Sequence, residues 1–155
     1  MSFKYTTNKT NMDELKQHLL ATGDDFIPPL HQRLDIAAYA DKLMQHACRI
    51  EVWQNNSLVG LVAVYLNNQA SKTGYISSVS VERQHRGHGL AKSLLHETYK
   101  CCLNNGFSAI ELEVHNANKP AQQLYLSEGF VVFRNEKSSL FMKKQLEDNH
   151  VTTKL

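Results

Sequence analysis

The chain has 155 residues, 42% hydrophobic and 21% charged, with a formal net charge of +2. That length suits one domain with its own core, and so slight a basic balance excludes an argument for nucleic-acid binding from charge alone. Three cysteines, Cys48, Cys101 and Cys102, none in a CxxC spacing, speak against a disulfide framework or a zinc site and fit a reducing cytoplasm.

The first ten residues are polar, and no run approaches the roughly eighteen apolar residues of a membrane span. Neither a signal peptide nor a membrane partner is expected. No repeat or linker divides the chain. It reads as one domain over 1–146 with a polar tail over 147–155.

In chain order, Phe3 to Thr6 reads as a short strand. Asn11 then caps a helix, with Glu14 three residues on as a capping box. Met12, Leu15, Leu19 and Leu20 form its apolar stripe, and it ends near Gly23. Asp24 to Leu30 is a loop stiffened by Pro28 and Pro29. Leu34 to Ala47 reads as one helix with Leu34, Ala37, Ala38 and Leu43 at helical spacing. Strands follow at Arg49 to Gln54 and Leu58 to Leu66, joined by a turn at Asn55-Asn56-Ser57.

Tyr75 to Val81 is a further strand, rich in β-branched residues. A glycine-rich turn leads to a helix from about Gly89 to Asn105, with Leu90, Leu94, Thr98 and Cys101 on one face. Ala109 to Val114 is a strand. Asn118 to Glu128 is a helix with Pro120 in its first turn and Gly129 at its end. Phe130 to Arg134 and Leu140 to Lys144 form a final hairpin across Asn135-Glu136-Lys137. The expected fold is α+β, a mixed and mostly antiparallel sheet of six or seven strands with about four helices.

Two stretches carry chemistry. In the first, a strand feeds Gln84-His85-Arg86-Gly87-His88-Gly89, and the turn opens a helix at Leu90-Ala91. Glycine lets a backbone approach a ligand and adopt positive φ. The first helical N–H groups lack partners and attract anions, so a pyrophosphate suits the place, and Arg86 adds a positive charge. Alternatively the glycines only make a tight strand-to-helix connection. No Gly-Lys-Ser/Thr follows, and the third glycine of a dinucleotide fingerprint is missing. The second stretch runs from Ile110 to Phe130 and holds Glu111, Glu113, His115, Asn118, Ala121, Tyr125 and Gly129-Phe130.

Together the two stretches resemble the cofactor site of the GCN5-related N-acetyltransferase (GNAT) superfamily. That family's loop reads Gln/Arg-x-x-Gly-x-Gly/Ala, matched by Gln84 to Gly89. Its later motif of Asn, Ala, Tyr and Gly-Phe is matched by Asn118, Ala121, Tyr125 and Gly129-Phe130. The resemblance covers about residues 47 to 145.

It implies acetyl-CoA as co-substrate, no metal, and direct acetyl transfer to a primary amine. The backbone of Val79, Ser80 and Val81 would pair with the pantetheine arm. Amides from Arg86 through Gly87, His88, Gly89 and Leu90 to Ala91 would cradle the pyrophosphate. Asn118 would hydrogen-bond the pantetheine, and Tyr125 would protonate the departing thiolate. Glu113, twelve residues before Tyr125, resembles the proposed base of the ribosomal-protein alanine acetyltransferases in the superfamily. Glu82, His115 or a water chain compete for that role. Strand alternation places Glu111 on the same face as Glu113, where both could simply meet solvent and lysines.

Cys101 and Cys102 read as helix packing rather than nucleophiles. The acceptor end rests on the segment from Asp24 to Tyr39, where His31, Arg33 and Tyr39 are candidates to contact a sugar or phosphate. That segment departs from the peptide N-terminus enzymes and is similar to members associated with amino-sugar pathways. The expected acceptor is a small-molecule amine, with no nucleic acid or membrane partner and a homodimer left open. Protein or peptide N-acetylation, or silent acetyl-CoA binding in a regulator, are the alternatives.

Overall fold

The capping box at Asn11 sets the first long element. In the computed structural model, which describes residues 2–147, Asn11 Oδ1 accepts from the Glu14 N–H at 2.8 Å, and the Glu14 carboxylate accepts from the Asn11 N–H at 2.9 Å. After strand β1 (Lys4–Thr7), helix α1 (Met12–Thr22) buries Leu15, His18, Leu19 and Thr22. It ends in a 3-10 turn at Gly23–Asp25.

The helix expected over Leu34 to Ala47 is α3 (Ile36–His46), and a short helix that was not expected, α2 (Leu30–Arg33), precedes it. Leu34 is extended, with φ −161° and ψ 165°. Asp35 then restarts the helix, its carboxylate accepting from the Ala37 N–H at 3.0 Å. The buried stripe of α3 is Ala40 and Leu43, while Ala37 and Ala38 are exposed. Two alanines adjacent to the true stripe mimicked the helical period.

Strands β2 (Cys48–Gln54) and β3 (Ser57–Tyr65) meet across Asn55 and Asn56, at φ 51° and 66°. Two left-handed residues make the turn that matches strand twist. Strand β4 (Thr73–Val81), helix α4 (Leu90–Asn104), strand β5 (Ala109–His115) and helix α5 (Lys119–Ser127) follow. The last hairpin pairs β6 (Val131–Glu136) with β7 (Ser139–Gln145). Its turn lies at Lys137 and Ser138, later than expected, because Asn135 and Glu136 pair with Leu140 and Ser139. On α4 the fully buried cysteine is Cys102, reached from Leu94 and Thr98 in steps of four, while Cys101 is half-buried.

The seven strands form one sheet in the order β1-β2-β3-β4-β5-β7-β6. Every pairing is antiparallel except β4 with β5. β3 is central and buried on both faces, which explains its unbroken apolar run. Leu61 and Ala63 pack with Leu15, Leu19, Leu30, Ala40 and Leu43, placing α1 to α3 on one face. Val62 and Val64 pack with Leu94, Leu95 and Phe130, placing α4 on the other. Glu51 is fully buried, and its carboxylate accepts from the Thr6 and Thr10 hydroxyls and the Lys9 and Thr10 N–H groups at 2.6–3.1 Å. It ties the β1–α1 connection to β2.

No helix among the described residues is long and apolar enough to cross a membrane. Of the expected tail only Glu147 is described, and residues 148–155 lie outside the described residues.

Candidate active site

One break in the sheet creates the site. β4 and β5 pair only from Thr73–Ile76 to Ala109–Leu112. Beyond those residues β4 runs on to Val81 and β5 to His115 without pairing to each other. The pairing of β4 with β3 shifts register between Ala63 and Val64, opposite Ser78 and Ile76, so Ser77 is an extra residue in β4. Such a bulge bends a strand. The splay leaves the β5-facing backbone edge of β4 without a strand partner over Ser78 to Val81, where the Val81 carbonyl accepts from Arg86 Nε at 3.3 Å, while its other edge stays paired to Gly60–Ala63.

At the end of that edge stands the glycine loop. Gly87 and Gly89 have φ +87° and +72°, and a Cβ placed on either would meet nothing within 4 Å. Backbone conformation and open access, rather than packing, require glycine here. Gly89 precedes α4 with no side-chain cap, so the first N–H groups of that helix face the groove. A groove of about 580 Å³ runs from this loop along β4 to α5, lined by Val79, Ser80, Val81, Arg86, Gly87, Gly89, Leu90, Ala91, Asn118 and Tyr125. His88 is the one residue of the expected cofactor set outside that lining, and its ring tilts against Phe3 at 5.9 Å.

Arg86 is not a free cation. Asp25 Oδ2 accepts from Arg86 Nη2 at 2.7 Å, and Asp25 Oδ1 accepts from Arg83 Nη2 at 2.7 Å. Asp25 therefore clips the segment between α1 and α2 to the glycine loop, and Phe26 and Ile27 beside it also line the groove. Behind β4, the buried His18 Nε2 lies 2.8 Å from Ser80 Oγ, and burial pushes the imidazole down to about 4.

Tyr125 stands where the groove meets a second cavity of about 320 Å³. It is 8% exposed, its ring packs edge-on against Phe130 at 5.6 Å, and burial pushes its phenol up to about 12. Asn118 caps α5 through Oδ1, which accepts from the Ala121 N–H at 3.3 Å. Glu113 lines the second cavity, exposed to it, and accepts a 2.6 Å hydrogen bond from Ser139 Oγ. Glu111 on the same face has a different fate, with Lys143 Nζ 3.7 Å from its carboxylate.

Of the other candidate bases, His115 lines the cavity but its Nδ1 accepts from the Ala117 N–H at 3.0 Å. Glu82 lies outside both linings, beside Gln84 Nε2 at 3.2 Å. Of the acceptor candidates, Arg33 lines the cavity. Tyr39 reaches it indirectly, its hydroxyl hydrogen-bonded to that of Ser77, which also lines the cavity. His31 is outside, 3.5 Å from Asp24.

Sequence reading missed Asp25, Arg83, His18 and Tyr75, each joined to the site by contacts between distant segments. It also missed that Cys48 and Cys101 Sγ lie 3.2 Å apart as free thiols. That contact draws the Cys101 thiol down to about 7. None of the cysteines lines either cavity. Among the described residues no group of three or more His, Cys, Asp or Glu is placed to hold a metal ion.

A splayed parallel pair in a mixed sheet, with a glycine loop opening a helix beside it, defines the acyl-CoA N-acyltransferase fold. A model of the acetyltransferase (GNAT) family matches residues 13–130, and the chain belongs to that family of acyl-CoA-dependent acetyltransferases.

Among solved structures, it is similar to the PaiA N-acetyltransferase of Thermoplasma acidophilum in complex with coenzyme A, at 16% identity and TM-score 0.76 over 94% of this chain and 99% of that one. The ribosomal-protein-S18-alanine N-acetyltransferase of Escherichia coli aligns at 14% identity and TM-score 0.78, over 95% and 96%. The IAA acetyltransferase of Bacillus cereus aligns at 20% identity and TM-score 0.69, over 94% and 100%. These likenesses concern the fold. No curated protein matches the sequence.

Proposed function

We propose that this chain transfers the acetyl group of acetyl-CoA directly to a primary amine of a small molecule, such as an amino sugar. The observation that carries the reading is the place of Tyr125, at the junction of the cofactor groove and the cavity holding Glu113.

Bound acetyl-CoA supplies an activated thioester carbonyl. Amides from Arg86 to Ala91 hold its pyrophosphate at the start of α4, where unpaired N–H groups and the helix dipole favour an anion. The free edge of β4 over Val79 to Val81 takes the pantetheine as an added strand, and Asn118 hydrogen-bonds it. A backbone N–H of the same edge meets the negative charge that develops on the carbonyl oxygen.

Glu113 takes the proton that the amine loses, directly or through water, because only the neutral amine attacks. As the nitrogen–carbon bond forms and the carbon–sulfur bond breaks, Tyr125 gives its proton to the leaving sulfur. A phenol near 12 holds that proton throughout the neutral range. The cavity, about 320 Å³, has room for a small acceptor.

The test is release of coenzyme A thiol when the purified chain meets acetyl-CoA and pools of amino sugars, polyamines, amino acids or peptides. Turnover with small amines supports the proposal. Turnover with peptides alone replaces it by the peptide reading. An acetyl-CoA-dependent rise in melting temperature without thiol release in any pool makes the chain a silent binder.

A further inference from the structure

The chain has five arginines, and four of them hold carboxylates. Arg49 lies against Glu51, Arg83 and Arg86 share Asp25, and Arg134 meets Glu136. Arg33 has no carboxylate within 4.0 Å among the described residues, and it is the arginine that lines the acceptor cavity. Its position is set by the break in the helix. α2 ends at Arg33, Leu34 turns extended, and the side chain comes to lie over the Phe26 ring with its central carbon 5.9 Å from the centroid. A ring face steadies a guanidinium while leaving its N–H donors free to bind.

The same cavity holds a carboxylate, Glu113, and a floor of hydroxyls from β4. Tyr75 shows that the two charges share one space. Its phenol is raised first by burial, then further by Glu113, and is lowered by Arg33. Ser78 also lines the cavity. It is only 4% exposed, and its Oγ has no hydrogen-bond partner among the described residues. A buried hydroxyl without a partner is uncommon.

We infer that the acceptor is a small amine that also carries an anionic group, a carboxylate or a phosphate, with its nitrogen toward Glu113 and its anion on Arg33. The inference rests on the acetyltransferase reading above and narrows it. A planar guanidinium binds either anion through paired hydrogen bonds, so the shared chemistry is the oxyanion. Tyr75, which is 39% exposed, offers a hydroxyl contact to the body of the acceptor between the two charged ends. Arg33 is a specificity residue here, distant from the bonds that change.

The experiment measures kcat and KM, each referred to the concentration of neutral amine, for primary amines in pairs with and without the anion. Glucosamine against glucosamine 6-phosphate reads phosphate, and amino acids against their amides read carboxylate. In at least one kind of pair the anionic member should show a kcat/KM higher by about tenfold or more, the size of effect a charge-assisted hydrogen bond supplies.

Arg33→Gln should erase that preference through KM, with kcat and the acetyl-CoA thermal shift unchanged. Arg33→Lys should recover part of it. Equal use of both members in every pair overturns the inference and leaves the acetyltransferase reading standing. So does a preference that survives Arg33→Gln. Absence of transfer to every amine, with acetyl-CoA still bound, overturns the acetyltransferase reading and the inference with it.

Discussion

The two cavities that meet at Tyr125 are built on different principles. The larger groove is lined mostly from two continuous stretches, β4 through the start of α4 and the first turns of α5, and it includes the glycine loop. The smaller cavity is lined from five separated places: the α1–α2 connection and α2, β4, the end of β5, α5 with its N-cap, and the turn into β7. A backbone site needs positive φ and fixed offsets, so it leaves a legible motif. A side-chain site assembled across the sheet leaves almost none, because any polar residue in the right place will serve. That is why the groove was readable as a motif, while of the cavity the sequence offered single residues such as Glu113 and Arg33 and not their arrangement.

The comparison breaks hardest at the glycine loop. Gly87→Glu puts bulk and negative charge where the groove expects an anion. Acetyl-CoA affinity should fall by about a hundredfold or more, the scale of like-charge juxtaposition in an interface, and the ligand-induced rise in melting temperature should vanish. Gly106→Glu is the control, since Gly106 has the same left-handed backbone at φ +81° and lies outside the groove. Unchanged binding by a folded Gly87→Glu chain would remove the loop from the cofactor site.

Tyr125→Phe comes next, because it touches both cavities while keeping the ring. Turnover should fall by about ten- to a thousandfold, with acetyl-CoA affinity held. With the phenol near 12, no alkaline loss of activity below about pH 11 should come from its ionisation. An alkaline limb that disappears in Tyr125→Phe at lower pH would place the phenol's pKa elsewhere.

Glu113→Gln sharpens the comparison on the acceptor side. Turnover should fall by roughly ten- to a hundredfold at low pH, where the amine is charged, and less as rising pH supplies neutral amine. Glu111→Gln, whose native partner is Lys143, should show little of this. Equal losses in both variants, or none in either, would leave water as the proton route.

The smallest effect concerns stability at the strand that both cavities share. The folded chain holds His18 neutral down to about pH 4, whereas the unfolded chain protonates it near 6.5. Between those values the unfolded state binds more protons, so stability should fall as pH drops from 6.5 toward 4. The full loss is roughly 3 kcal/mol. His18→Gln should flatten that part of the urea-unfolding profile, and an unchanged slope would show that other groups carry it.

The elements that sequence determined are those governed by neighbours a few residues apart. The capping box from Asn11 to Glu14, the paired asparagines of the β2–β3 turn and the glycines before α4 each satisfy a local rule of backbone geometry. The run from Leu58 to Leu66 and the helical spacing of Leu90, Leu94 and Thr98 likewise announced a strand and an amphipathic helix.

Tertiary structure decided the rest. Leu34 became an extended break because Asp35 could cap α3 and Arg33 could close α2, a competition that a helical period of apolar residues does not register. The last turn moved to Lys137–Ser138 because β7 sets the register of β6. Asp25 reached Arg83 and Arg86 across 58 and 61 residues, and Arg33 was left without a carboxylate among the described residues, because the α1–α2 connection lies over the open end of β4. Charge partners at that separation depend on how helices and sheet pack, and packing is a property of the whole chain rather than of any segment.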